Sequence, residues 1–92
     1  MATHTTLSKD FVIRNEYGIH ARPAALLVRC ASRFQSEVDI TKDGITVSGK
    51  SIMGLLTLEG FQGCTITLSV TGPDAKEALA ALAELIDTNF GE

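Results

Sequence analysis

The stretch Cys64-Thr65-Ile66-Thr67-Leu68-Ser69-Val70-Thr71 alternates without a break, with Cys64, Ile66, Leu68 and Val70 on one side and hydroxyl residues on the other. Successive side chains of a strand point to opposite faces, so one face of this strand is covered and the other is wet. That restricts the chain to an antiparallel sheet with helices on a single side. At 92 residues and 45% hydrophobic content, the composition suits one globular domain, expected to span residues 1–92. A chain this short has little room for a deep cavity, so any chemistry is expected at the surface.

The remaining elements follow from local patterns. A strand is expected over residues 9–13, with Phe11 and Ile13 on one face. The polar turn Arg14-Asn15-Glu16-Tyr17-Gly18 carries one exposed aromatic. A helix follows over residues 21–34, where Ala24, Leu27, Ala31 and Phe34 recur at helical spacing. Pro23 fits only in its first turn, where a missing N–H does no harm. Val38 and Ile40, then Ile45 and Val47, alternate around Asp43-Gly44 and predict a hairpin. Residues 49–58 predict a short helix with Ser51 as N-cap, and Gly54 stands where a capping box needs Glu or Gln. Leu55 and Leu58 can face the core, which turns Ile52, Met53 and Leu56 partly outward. They form either a partner surface or part of a small core poor in aromatics. After Gly72-Pro73, Asp74 and Glu77 have the spacing of an N-cap and its reciprocal partner. The last helix then ends near Asp87, with Ala75, Leu79, Leu82 and Ile86 as its buried stripe. The order β-α-β-β-α-β-α describes an α+β open-faced β-sandwich, a four-stranded antiparallel sheet with three helices on one face.

His20 follows a glycine turn, precedes Arg22 by two residues, and opens the helix that Pro23 fixes. A helix start offers backbone N–H groups and the positive end of a dipole, and an arginine adds a fork suited to phosphate. Such a start also disfavours an imidazolium, which leaves a ring nitrogen able to attack. His20 is therefore a candidate phosphoryl-accepting nucleophile, with Arg22 stabilising the phosphate. Spacing alone also admits an exposed loop histidine beside a helix start. Arg22, Arg29 and Arg33 fall on one side of the same helix, a basic stripe that suits an acidic partner or, for Arg33, the dipole at the helix end.

The net charge of −3 argues against a nucleic-acid binder as a global property. The two cysteines, Cys30 and Cys64, lack a CxxC spacing and read as buried thiols in a reducing compartment. No metal site and no cofactor is expected. Met1-Ala2-Thr3-His4-Thr5-Thr6 lacks a basic region followed by an apolar run, and no apolar stretch reaches membrane-spanning length. A cytoplasmic protein without membrane insertion is expected.

Gly18-Ile19-His20-Ala21-Arg22-Pro23-Ala24 resembles the active-site signature of the HPr family, the histidine-containing phosphocarriers. Gly49-Lys50-Ser51-Ile52-Met53-Gly54 resembles that family's regulatory serine segment. The resemblance runs through nearly the whole chain, in motif separation, element order and length. It implies a carrier of the phosphoenolpyruvate-dependent phosphotransferase system rather than an enzyme. In that role enzyme I phosphorylates His20 on Nδ1, and His20 passes the group to an enzyme IIA domain. It further implies a docking face of Arg29, Ile52, Met53 and Leu56, and Ser51 as a target of HPr kinase/phosphorylase. A monomer is expected.

Two details depart from an average member. Tyr17 stands where the family carries a small polar or an aliphatic residue. Thr71-Gly72-Pro73-Asp74 and the Ala-rich last helix resemble the nitrogen-related branch, NPr, whose phosphate chain regulates; the Ser51 segment points back to HPr, and both branches stay open. A purely regulatory binding protein controlled through Ser51 is a further alternative. A small histidine-dependent hydrolase is disfavoured, because no Ser, Cys or Asp is placed as its partner.

Overall fold

The computed structural model describes residues 5–91; residues 1–4, on which the expectation of no leader partly rests, lie outside them. Strand β1 (Thr6–Val12) leads through a loop to helix α1 (Ala21–Ala31), then to β2 (Glu37–Lys42) and β3 (Ile45–Ser48). Helix α2 (Ile52–Thr57), strand β4 (Thr65–Thr71) and helix α3 (Ala75–Asp87) follow, with a 3-10 turn over Asn89–Gly91. The sheet order is β1-β4-β2-β3 and every neighbouring pair is antiparallel. This is the expected open-faced α+β sandwich.

Alternation sets the layers. Ile66, Leu68 and Val70 of β4 are fully buried beside Val38 and Ile40 of β2 and Phe11 of β1. The opposite face is held by hydroxyl pairs that cross between strands: Thr6 with Thr71 at 2.7 Å, Ser8 with Ser69 at 3.0 Å, and Thr41 with Thr46 at 2.7 Å. Both thiols are free and buried, and burial pushes each of them up. Among the described residues, no helix is long and apolar enough to cross a membrane.

Some local expectations need correction, the first being that β1 runs Thr6–Val12 rather than over residues 9–13, because it pairs with β4 as far as Thr71. Helix α1 stops at Ala31 rather than at Phe34. Its last turn tightens, with Arg33 N–H donating to Cys30 C=O and Phe34 N–H to Ala31 C=O. The next two backbone donors, Gln35 N–H and Ser36 N–H, turn to the Asp74 carboxylate, each at 2.9 Å. That is also why the capping box fails: Asp74 stands at the N-cap of α3 but makes no side-chain cap bond, because its oxygens serve the α1–β2 loop. Finally, Ala78 takes the buried place expected of Leu79, which is only half-buried. Helix α3 packs on α1 as well as on the sheet, and this widens its buried sector toward Ala78.

Candidate functional site

The loop between β1 and α1 is built by bonds to the segment that precedes β4. Ile13 N–H donates to Cys64 C=O at 2.9 Å, and Gly63 N–H to Ile13 C=O at 2.7 Å, continuing the β1–β4 pairing past the strand ends. Gln62 Nε2 donates to Arg14 C=O at 3.0 Å. Asn15 then closes a turn from both ends. Its carbonyl accepts from Gly18 N–H at 3.1 Å, and its buried side-chain amide donates to Gly18 C=O at 2.7 Å. Gly18 has a φ of +63°, and a Cβ there would stand 2.0 Å from Gly60 O. Only glycine fits this close approach. Ile19 N–H donates to the same Gly60 C=O at 2.7 Å, and the Ile19 side chain is buried.

His20 emerges from this frame as the N-cap of α1, with extended backbone and its C=O accepting from Ala24 N–H at 3.0 Å. Its side chain is not used to cap the helix. Half-buried, it lines a concavity of about 570 Å³ with Arg14, Asn15, Glu16, Tyr17, Gln62 and Asn89. The Tyr17 ring meets the imidazole edge to face, with centroids 6.0 Å apart. In the first turn of α1, helix geometry supplies no intrahelical acceptors for backbone N–H groups, and Pro23, at the third position, has none to offer.

The structure distributes the other expected residues around this point. Arg22 is exposed, with Nη2 4.0 Å from where a Cβ on Gly91 would stand, so its guanidinium reaches the C-terminal turn. Arg29 lies two turns along α1 and is exposed; it lines a second groove with Leu26, Cys30, Arg33, Ala81, Glu84, Leu85 and Thr88. Arg33 falls past the end of the helix and stacks over Phe34, 5.5 Å from its centroid, while still sharing that groove with Arg29. Ser51 caps α2, its Oγ accepting from Gly54 N–H at 3.0 Å. Ile52, Met53 and Leu56 are 42%, 72% and 37% exposed, while Leu55 and Leu58 are buried, as their spacing required. Helix α2 packs beside α1, so the apolar trio and the arginines belong to one helical layer.

Sequence reasoning missed Asn15, Gly60 and Asn89 as parts of this site. An Asn three residues before a Gly is a readable turn signal. Gly60 and Asn89 reach the site only through tertiary packing. Asn89 arrives on a turn in which Asn89, Phe90 and Gly91 all have positive φ, anchored by the buried Phe90 ring.

The open-faced sandwich thus holds a histidine at a helix start beside an open concavity. The family model described as the PTS HPr component phosphorylation site matches residues 7–88, and the chain belongs to the HPr family of phosphocarriers. It is 44% identical over 86 residues to the phosphocarrier protein HPr of Cupriavidus necator, covering 94% of this chain and 97% of that one. It is 47% identical over 81 residues to the HPr-like protein Crh of Halalkalibacterium halodurans, covering 88% and 96% of the two chains. The solved structure of HPr-C-His from Thermoanaerobacter tengcongensis superposes with a TM-score of 0.91 at 45% identity, covering 94% of this chain and 97% of that one.

Proposed function

We propose that this protein accepts a phosphoryl group from enzyme I on Nδ1 of His20 and passes it to an enzyme IIA domain. The observation that carries this reading is the placement of His20: it occupies the N-cap of α1, yet its side chain is not committed to capping. The Nδ1 lone pair forms the P–N bond as the bond from phosphorus to the donor breaks, and the donor departs with that electron pair. The first turn of α1 and Arg22 stabilise the transferred charge. In such transfers the protein supplies position and charge more than covalent chemistry. The group must be held only moderately, because it has to leave again.

Arg29, Ile52, Met53 and Leu56 form the docking face, and Ser51 is its control point under HPr kinase/phosphorylase. A phosphate on Ser51 Oγ would sit at the start of α2, between the apolar trio and an approaching partner. The likeness to Crh, whose solution structure is described as that of the Bacillus subtilis catabolite repression HPr (44% identity, TM-score 0.64), supports a regulatory duty beside the carrier role. The decisive experiment incubates wild type and His20→Ala with enzyme I and labelled phosphoenolpyruvate. Acid-labile, alkali-stable label present in the wild type and absent from the variant is expected; label retained by His20→Ala defeats the reading. Acid-stable label at Ser51 with the kinase and ATP is the corresponding result for regulation.

A further inference from the structure

We propose that Tyr17 is a positioning residue for His20, its ring fixing the direction in which the reacting nitrogen points. This rests on the phosphocarrier reading above. The two rings stand at 89° with centroids 6.0 Å apart, within the range in which edge-to-face aromatic pairs attract. Their mounting makes the contact reproducible. Tyr17 sits in the turn that Asn15 closes from both ends, and Gly18, the next residue, is wedged against Gly60 C=O. His20 follows Ile19, whose N–H is bonded to that same carbonyl. Both backbones are thus tied to one point, so the two rings meet from fixed mountings.

An imidazole at a helix start can turn about two side-chain torsions, and each turn carries its nitrogens away from an in-line approach. A ring packed against it removes some of those rotamers before a partner arrives. Transfer between proteins is sensitive to such preorganisation, because binding must deliver donor and acceptor atoms in line. A neutral aromatic achieves this without adding a charge that would compete with Arg22 for the phosphoryl group. At 72% exposure, Tyr17 does not cover the site it orients.

The test compares wild type, Tyr17→Phe, Tyr17→Leu and Tyr17→Ser as phosphoryl acceptors from enzyme I, after thermal melts confirm folding. Tyr17→Phe keeps the ring and should match wild type. Tyr17→Ser and Tyr17→Leu should lower kcat about three- to tenfold with KM within about twofold, the signature of lost orientation rather than lost binding. In proton NMR, the His20 ring resonances should move in the Ser and Leu variants as the aromatic ring current disappears, and stay put in Tyr17→Phe. A raised KM at constant kcat would make Tyr17 a docking contact and overturn the proposal, as would equal kcat in all four proteins. If the wild type accepts no phosphoryl group, the carrier reading fails, and the NMR comparison decides alone: unmoved His20 resonances in Tyr17→Ser then refute the pairing.

Discussion

Two glycines meet at the base of the site, and a methyl group added to each would do different things. At Gly18 the new Cβ would stand 2.0 Å from Gly60 O and 2.9 Å from Phe61 Cα, in a backbone with φ of +63°. Both obstacles are backbone, and the conformation itself disfavours any other residue. At Gly60 the new Cβ would meet only the Ile19 side chain, Cδ1 at 2.8 Å, Cγ1 at 3.0 Å and Cβ at 3.2 Å, so the isoleucine must repack but no backbone atom stands in the way. Gly18→Ala should therefore lose at least about 2 kcal/mol of stability and disturb the turn that leads to His20. Gly60→Ala should lose about 1 kcal/mol, repacking Ile19 only. Urea midpoints for the two variants test the order; equal losses would mean that the loop shifts as a unit. Ser51→Ala makes a third residue-level comparison, since removing the one hydroxyl that accepts from Gly54 N–H should cost about 1 kcal/mol.

Between elements, the contact that most shapes the fold without local warning is Asp74 across to the α1–β2 loop. Its carboxylate accepts from Gln35 N–H, Ser36 N–H and, at 2.5 Å, Ser36 Oγ. The hydroxyl, then the backbone donors, hold the Asp74 carboxyl below its ordinary value. A lowered folded-state value means that the stabilisation is complete above the unfolded carboxyl's range and is lost as pH falls through the folded value. Asp74→Asn should therefore melt lower than wild type by a constant margin above about pH 5, and the margin should shrink toward about pH 2. A margin independent of pH would show that the carboxylate charge contributes nothing. This contact also marks the boundary of what the sequence reveals. The β4 alternation, the Asp43-Gly44 turn, the Ser51 cap and the split of α2 into buried Leu55 and exposed Met53 are all written in local periodicity or turn chemistry. The end of α1, the role of Asp74 and the arrival of Asn89 beside His20 depend on residues far apart in the chain, for which no local pattern exists. The His20 neighbourhood was half legible for the same reason. Gly18, Arg22 and Pro23 declare a helix start, whereas the carbonyl that wedges Gly18 in place comes from Gly60, forty-two residues on.

Across the whole molecule the two faces differ in charge. The open side of the sheet presents Asp10, Glu37 and Asp39 among Thr and Ser hydroxyls, and among the described residues of its strands every outward position lacks a Lys or Arg. The start of α1 instead carries Arg22, with Arg29 two turns along. An acidic partner surface is therefore drawn toward the α1 edge of the helical layer, away from the sheet and from Glu77, Glu84 and Asp87 on α3, which orients the encounter before contact. For a chain of net charge −3, this asymmetry has to be local, because the overall charge would repel an acidic partner. The consequence is an ionic-strength signature. With enzyme I as donor, kcat/KM should fall as salt rises, since the Debye length shrinks from about 10 Å at 0.1 M to about 3 Å at 1 M. Arg29→Gln should lower kcat/KM about two- to fivefold at low salt, act mainly through KM, and flatten the salt dependence. Asp39→Asn, on the far face, should leave both the rate and its slope unchanged. If instead Asp39→Asn raises the rate as much as Arg29→Gln lowers it, only net charge matters and the faces steer nothing.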